Sequence, residues 1–168
     1  DSVPITTERS FNAERITFKA SYPLTIGILA KDYMEDASGL EYIGTGRQQM
    51  GDGGVVAQIR DTASGKVVAT TSARWKVLPL QRAPLNVSCV SSSQPLVDCR
   101  SETRALPARW AAPSFDDSAW ASASVYTADA VGVKDGYYGI SWSPLARLLW
   151  GSDLHVDNVL LLRSPVVR

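Results

Sequence analysis

Val55-Val56-Ala57-Gln58-Ile59-Arg60, followed by Thr62-Ala63-Ser64-Gly65 and then by residues 66–72 (KVVATTS), is the passage that decides the fold. Strand pattern runs along the first arm, a glycine-containing turn reverses the chain, and strand pattern returns along the second. That is an antiparallel hairpin. Upstream, residues 15–20 alternate Ile16, Phe18 and Ala20 with Thr17 and Lys19, as a half-buried strand does. After the break at Tyr22-Pro23, residues 24–30 place Ile26 and Ile28 on one face and Thr25 and Gly27 on the other. Downstream, residues 75–78 extend the pattern until Pro79, and residues 147–150 and 158–162 are apolar at consecutive positions, as expected of strands covered on two sides. Helix is scarce, with a single capped turn expected at residues 116–119. Many short strands with glycine and proline turns predict an all-β sandwich or jelly roll with long irregular loops.

With 168 residues, one domain and one core are the natural expectation for the whole chain. Within it, residues 1–14 read as an N-terminal arm, 31–54 as a long inserted loop with a short strand near Tyr42, and 82–113 as an irregular segment with four prolines. Lys plus Arg and Asp plus Glu both number 17, so a nucleic-acid or anionic-lipid footprint is lacking and a neutral partner is favoured. No apolar run approaches the roughly 20 residues of a membrane span. The start, Asp1-Ser2-Val3-Pro4, has the look of a mature chain after signal cleavage. Cys89 and Cys99 in a polar, proline-containing stretch read as a short disulfide loop, and Asn86-Val87-Ser88 beside them is an N-glycosylation acceptor. Together they predict a secreted, extracellular protein.

The segment Phe115-Asp116-Asp117-Ser118-Ala119-Trp120 is preceded by Trp110 and followed by residues 146–150 (ARLLW) and 157–163 (DNVLLLR). In this combination it resembles the galactose-binding-like jelly-roll domains, and in particular the accessory sugar-binding domains of bacterial rhamnosidases and related glycoside hydrolases. Residues 53–59 and 73–76 look like the middle strands of that fold, so the resemblance runs patchily from about residue 15 to residue 163. It implies a galactose-binding-like β-sandwich whose ligands meet loops at one end. Physically, the FDDSAW segment reads as a plug: Phe115 and Trp120 bury large areas while Asp116, Asp117 and Ser118 satisfy turn amides.

Reactive groups are few. His155 is the only histidine, so a site with two imidazoles is excluded, and no serine stands in a nucleophile elbow. His155 reads as a loop residue or a satisfied hydrogen-bond partner. The 31–54 loop is richer. It combines aromatic faces (Tyr33, Tyr42), planar donors (Arg47, Gln48, Gln49) and carboxylates (Asp32, Glu41, Asp52), the mixture that neutral sugars require. Trp142 is a second candidate platform. The same residues could instead knit the loop to itself. A structural calcium is a further reading of the carboxylates, although D-x-D spacing and the twelve-residue helical loop pattern are absent, and an acid–base pair of the glycosidase kind is another.

These observations lead to an extracellular, non-catalytic carbohydrate-binding module or lectin, with a carbohydrate or glycoprotein as partner. The alternative is a structural subunit that self-associates in an extracellular fibre, sheath or adhesive assembly. A weaker alternative is the accessory domain of a glycoside hydrolase.

Overall fold

The computed structural model describes residues 13–168. Strands β1 (Gly27–Lys31), β2 (Leu40–Glu41), β3 (Gln49–Met50), β4 (Gln58–Arg60), β5 (Val67–Thr70) and β6 (Lys76–Arg82) come first. A 3-10 helix (Val87–Ser91), helix α1 (Pro95–Asp98) and strands β7 (Glu102–Thr103), β8 (Ala121–Ser122) and β9 (Ser124–Tyr126) follow. Helices α2 (Ala128–Val131) and α3 (Asp135–Tyr138) precede β10 (Leu148–Trp150) and β11 (Asp157–Arg163). The fold is therefore β-rich, and all of its strand pairs are antiparallel.

The principal sheet runs β1-β11-β6-β7, with β8 also paired to β6. Its centre is β11, and the reason is visible in its residues. Leu160 and Leu162 face the main core with Trp75, Val77, Leu149 and Trp150, while Leu161 faces the opposite way onto Leu80 and Trp120. All three leucines are fully buried, each stabilising the fold by roughly 1.5–3 kcal/mol. Consecutive apolar residues are what a strand covered on both faces requires. Across the main core, β9–β10 and β4–β5 are joined through Thr71. Its backbone N–H donates to Ala57 O, and its carbonyl accepts from the Arg147 N–H. Its hydroxyl donates to Arg147 O at 2.7 Å.

The opposite face is closed by the FDDSAW plug, as the sequence predicts, although residues 116–119 form a turn and not a helix. Asp116 accepts from the Ser118 amide, which takes the place of a helical hydrogen bond. Phe115 and Trp120 meet edge to face at 5.5 Å. The guanidinium of Arg163, a side chain only 3% exposed, donates from Nε to Asp117 at 2.7 Å and from Nη1 to Trp110 O, and lies over Phe115.

Several expectations shift. The predicted hairpin forms as β4–β5, though shorter, around a turn in which Gly65 takes φ +70°. β1 begins at Gly27, with Leu24 held apart in a single bridge to Val167. Residues 15–20 form no strand: Ile16 and Phe18 are 40% and 48% exposed and line an open groove with Val56 and Ile59. Alternation alone does not make a strand, and among the described residues no ladder pairs this segment. Of the N-terminal arm, residues 1–12 lie outside the described residues, as does the reading of the first four as a cleaved terminus. Strand β6 continues through Pro79, against the rule that proline ends a central strand. Its position explains this, since β8 pairs with Lys76 and Val77, β7 pairs with Gln81 and Arg82, and the register with β11 slips next to Pro79's partner Leu160. The missing N–H falls in a gap of the ladder. The short helices α1, α2 and α3 stand outside the one helical turn expected, although α2 carries both a start and a stop signal: Thr127 caps the Ala130 amide and Gly132 closes the end at φ +67°.

The segment 82–113 is irregular, as expected, apart from the 3-10 helix, α1 and β7. Its disulfide is formed: Cys89 and Cys99 are joined with their Cα atoms 5.2 Å apart. The bridge is buried with Leu40, Ile43 and Met50, so it underlies the β2–β3 hairpin. Among the described residues, no helix is long and apolar enough to cross a membrane.

Candidate functional site

At the end of the principal sheet the chain leaves β1 and enters the 31–54 loop. The β1–β11 register ends with Lys31 opposite Val159, and the Asp32 amide then donates to Asn158 O at 2.8 Å. Asp32 therefore stands opposite Asn158, and directly opposed residues of antiparallel strands share a face. The loop folds back as the β2–β3 hairpin, which pairs Glu41 with Gln49, and Gln49 Nε2 donates to Glu41 Oε2 at 3.0 Å. Residues 51–54 (GDGG) then pass beneath. A Cβ on Gly51 would lie 1.8 Å from Asp32 Oδ2, and one on Gly53 would lie 2.1 Å from the Trp150 ring, so both positions require glycine.

This path brings Asp32, Glu41 and Asp52 together, with carboxylate oxygens within 4.8 Å of one another. Asp32 is 9% exposed and Glu41 5%, while Asp52 is the most accessible of the three. Burial, reinforced by the charges of Asp52 and Glu41, pushes the Asp32 carboxyl from its usual 3.8 up to about 7, against the pull of the Tyr33 and Asp52 backbone amides. Burial also raises Glu41, which the Gln49 hydrogen bond opposes, and raises Asp52, which Lys134 and His155 oppose. Asp32 Oδ2 is buried without a hydrogen-bond partner, and so are both polar atoms of the fully buried Asn158 side chain. Among the described residues these are the buried side-chain atoms left without one. All belong to one cross-strand pair.

The aromatic residues take the other side of the same loop. Tyr33 follows Asp32 and Tyr42 follows Glu41 in the chain, so the Asp32 and Glu41 carboxylates turn in while the Tyr33 ring is exposed and Tyr42 is half-buried. The rings lie 6.4 Å apart and tilted, and the Arg47 guanidinium sits 4.5 Å from the Tyr42 ring centre. Tyr33 is 41% exposed. Tyr42 holds φ +52°, a left-handed conformation that is costly for a side chain of this size, and the Tyr42 carbonyl accepts from the Thr45 amide and hydroxyl.

The remaining expected residues fall elsewhere in role or place. Gln48 is consumed structurally: it donates to Val90 O and Ser92 O and accepts from the Gly44 amide, tying the hairpin to the disulfide loop. Trp142 stacks on Tyr137 at 5.9 Å, donates its indole N–H to Tyr137 O, and lines the groove beside residues 13–20. Asn86 is half-buried and spans its own loop, donating to Asp98 O and accepting from the Arg100 amide. His155 is a hydrogen-bond partner, with Nδ1 2.7 Å from Gly51 O, where it fixes the loop that carries Asp52. Asn158, Lys134 and His155 belong to the site's surroundings but come from segments more than 80 residues away, and no local motif links them to the loop. The one local hint was the pair Asp157-Asn158, polar residues opening an otherwise apolar strand. No protein-family model, curated protein or solved structure matches this chain.

Proposed function

We propose that this chain is a secreted, non-catalytic carbohydrate-binding domain of the galactose-binding-like β-sandwich type, with its ligand surface on the 31–54 loop. The observation that carries this reading is the exposed Tyr33 ring beside the half-buried Tyr42, next to the buried Asp32 and Glu41 and with Arg47 and Gln49 alongside. Tyr33 offers an exposed ring to the apolar face of a pyranose. Arg47, Gln49 and Asp52 are exposed planar or charged groups able to take hydroxyl pairs. Backbone cost at Tyr42 fits a residue placed for contact. Glu41 and Asp32 are too deeply buried to act on a bound sugar, which favours recognition over hydrolysis. A principal sheet covered on both faces supports the sandwich, and the Cys89–Cys99 bridge is compatible with an oxidising, extracellular location.

A broad glycan array tests the reading. The wild-type chain is expected to bind at least one neutral glycan, and Tyr33→Ala to weaken that binding about tenfold or more. Silence of the wild-type chain across the array would sink the proposal. Silence together with regular, concentration-dependent assemblies in scattering would replace it with self-association.

A further inference from the structure

The groove beside residues 13–20 has a volume of about 1000 Å³ and is built from other residues than the 31–54 loop. Residues 13–20 border it without a gap, and so do residues 56–62 on the facing side. Successive side chains of an extended chain point to opposite faces, so a hollow that meets every residue in turn runs along a backbone edge and not over one face. Both edges are open. Residues 13–21 run without turn or bend, and none of residues 15–23 makes a backbone–backbone hydrogen bond among the described residues. On the other side, β4 is paired by β5 alone. Two bare edges facing one hollow leave a lane for one further strand.

We propose that a second copy of this chain fills the lane, in a closed two-fold pair. The chain itself supplies a strand that fits: residues 15–20, in which Ile16 and Phe18 alternate with polar neighbours and stand 40% and 48% exposed. Across the pair the order is β4 of the second copy, residues 15–20 of the first, residues 15–20 of the second, then β4 of the first. Each copy fills the other's lane, which closes the assembly at two and separates it from a growing fibre. Charge selects the register, because antiparallel pairing sets directly opposed residues on one face and penalises like charges there. Centred on Thr17, it would set Arg15 opposite Lys19; centred on Lys19, it would set that ammonium opposite itself; centred on Ile16, it would set Phe18 opposite Glu14. Centred on Phe18, it sets Phe18 opposite Phe18, Ile16 opposite Ala20 and Thr17 opposite Lys19, with apolar residues together and no like charges facing. Size agrees: twenty residues line the groove, as many as one side of a standard interface of about 800 Å² per partner employs. The pairing is independent of whether a sugar meets the 31–54 loop.

Sedimentation velocity of the full chain, from about 1 µM to about 200 µM, should show a monomer passing to a dimer and to nothing larger. Ile16→Asp and Phe18→Asp should each weaken the association about thirtyfold or more while keeping the circular dichroism of the parent, since both side chains are exposed in the single chain. The native cysteines are bridged to each other, so added ones report the register. Under mild oxidation, Thr17→Cys and Lys19→Cys should give a disulfide-linked dimer when mixed and far less when each is alone. A monomer throughout would overturn the proposal and leave the groove to some other extended polypeptide. So would a dimer that neither aspartate variant weakens, or cross-linking as strong in either cysteine variant alone as in the mixture.

Discussion

The plug at residues 110–120 and the loop at residues 31–54 are built from the same materials, aromatic rings beside carboxylates, and they come out opposite. In the plug, the buried Arg163 meets Asp117 and Trp110 O, and the turn amide of Ser118 finds Asp116. In the loop, three like charges converge, and the orphaned buried side-chain atoms lie on Asp32 and Asn158. A satisfied network of this kind holds structure and leaves nothing to bind. The loop, held by a disulfide, a hairpin and two close glycine approaches, keeps its buried polar atoms unsatisfied, and this is the difference that favours the loop over the plug in the proposed reading.

The comparison can be broken most forcefully from the plug side. Arg163→Ala should cost about 2–3 kcal/mol in urea unfolding, because it removes a buried side chain that packs over Phe115 and leaves Trp110 O and the partly exposed Asp117 without their donor. A cost below about 1 kcal/mol would mean the plug is not the structural element described. Next, Cys89→Ser with Cys99→Ser should lower stability by about 2–3 kcal/mol and, since the bridge lies under Leu40 and Met50, should also loosen the β2–β3 hairpin to hydrogen exchange. Unchanged exchange at residues 40–50 would separate the disulfide from the site.

The loop behaves in the reverse sense to the plug when charge is removed. In the presence of chelator, Asp32→Asn should stabilise the chain at pH 8 by about 1–2 kcal/mol, since it takes away one of three converging charges at no cost in volume. The pH dependence has the same sign. The Asp32 carboxyl titrates near 3.8 when unfolded and near 7 when folded, so between these values the folded chain holds the extra proton. Stability without metal should therefore fall as pH rises from about 4 to about 7 and level off above. Glu41 and Asp52 add to the trend, with Glu35 acting on Glu41, and with Lys134 and His155 moderating Asp52. A loss of stability on acidification through this window would contradict the description of the cluster. The smallest effect belongs to the surface: Tyr33→Ala should change stability by under about 0.5 kcal/mol while weakening sugar binding about tenfold or more.

Much of the principal architecture was legible. Leu160, Leu161 and Leu162 announce a strand buried on both faces, and residues 55–72 announce a hairpin, because burial and turn chemistry are written in consecutive residues. Residues 15–20 show the same alternation without becoming a strand, since pairing depends on a partner strand in register, which local sequence does not record. Pro79 likewise looked like a terminator, and only the positions of β7 and β8 show the gap that admits it. For the site, Asp32, Glu41 and Asp52 could be grouped by their shared loop, and Gln49 joined them. Residue type does not distinguish a contact residue from an internal tie at Gln48 and Trp142, whose amide and indole groups donate to Val90 O and Tyr137 O. Asn158 was not legible as a neighbour of the loop, since its place opposite Asp32 follows from the β1–β11 register, Gly27 opposite Arg163 to Lys31 opposite Val159, and not from any motif.

The central claim is that the outward face of the 31–54 loop, and not the Trp142 groove, is where this chain meets its ligand. Amide chemical shifts of the ¹⁵N-labelled chain, titrated with a panel of neutral hexoses and deoxyhexoses, test it directly. The account predicts shifts concentrated at residues 33–52 for at least one sugar, lost in Tyr33→Ala. Shifts confined to residues 137–142 and the groove beside them, or none with any sugar, would contradict it.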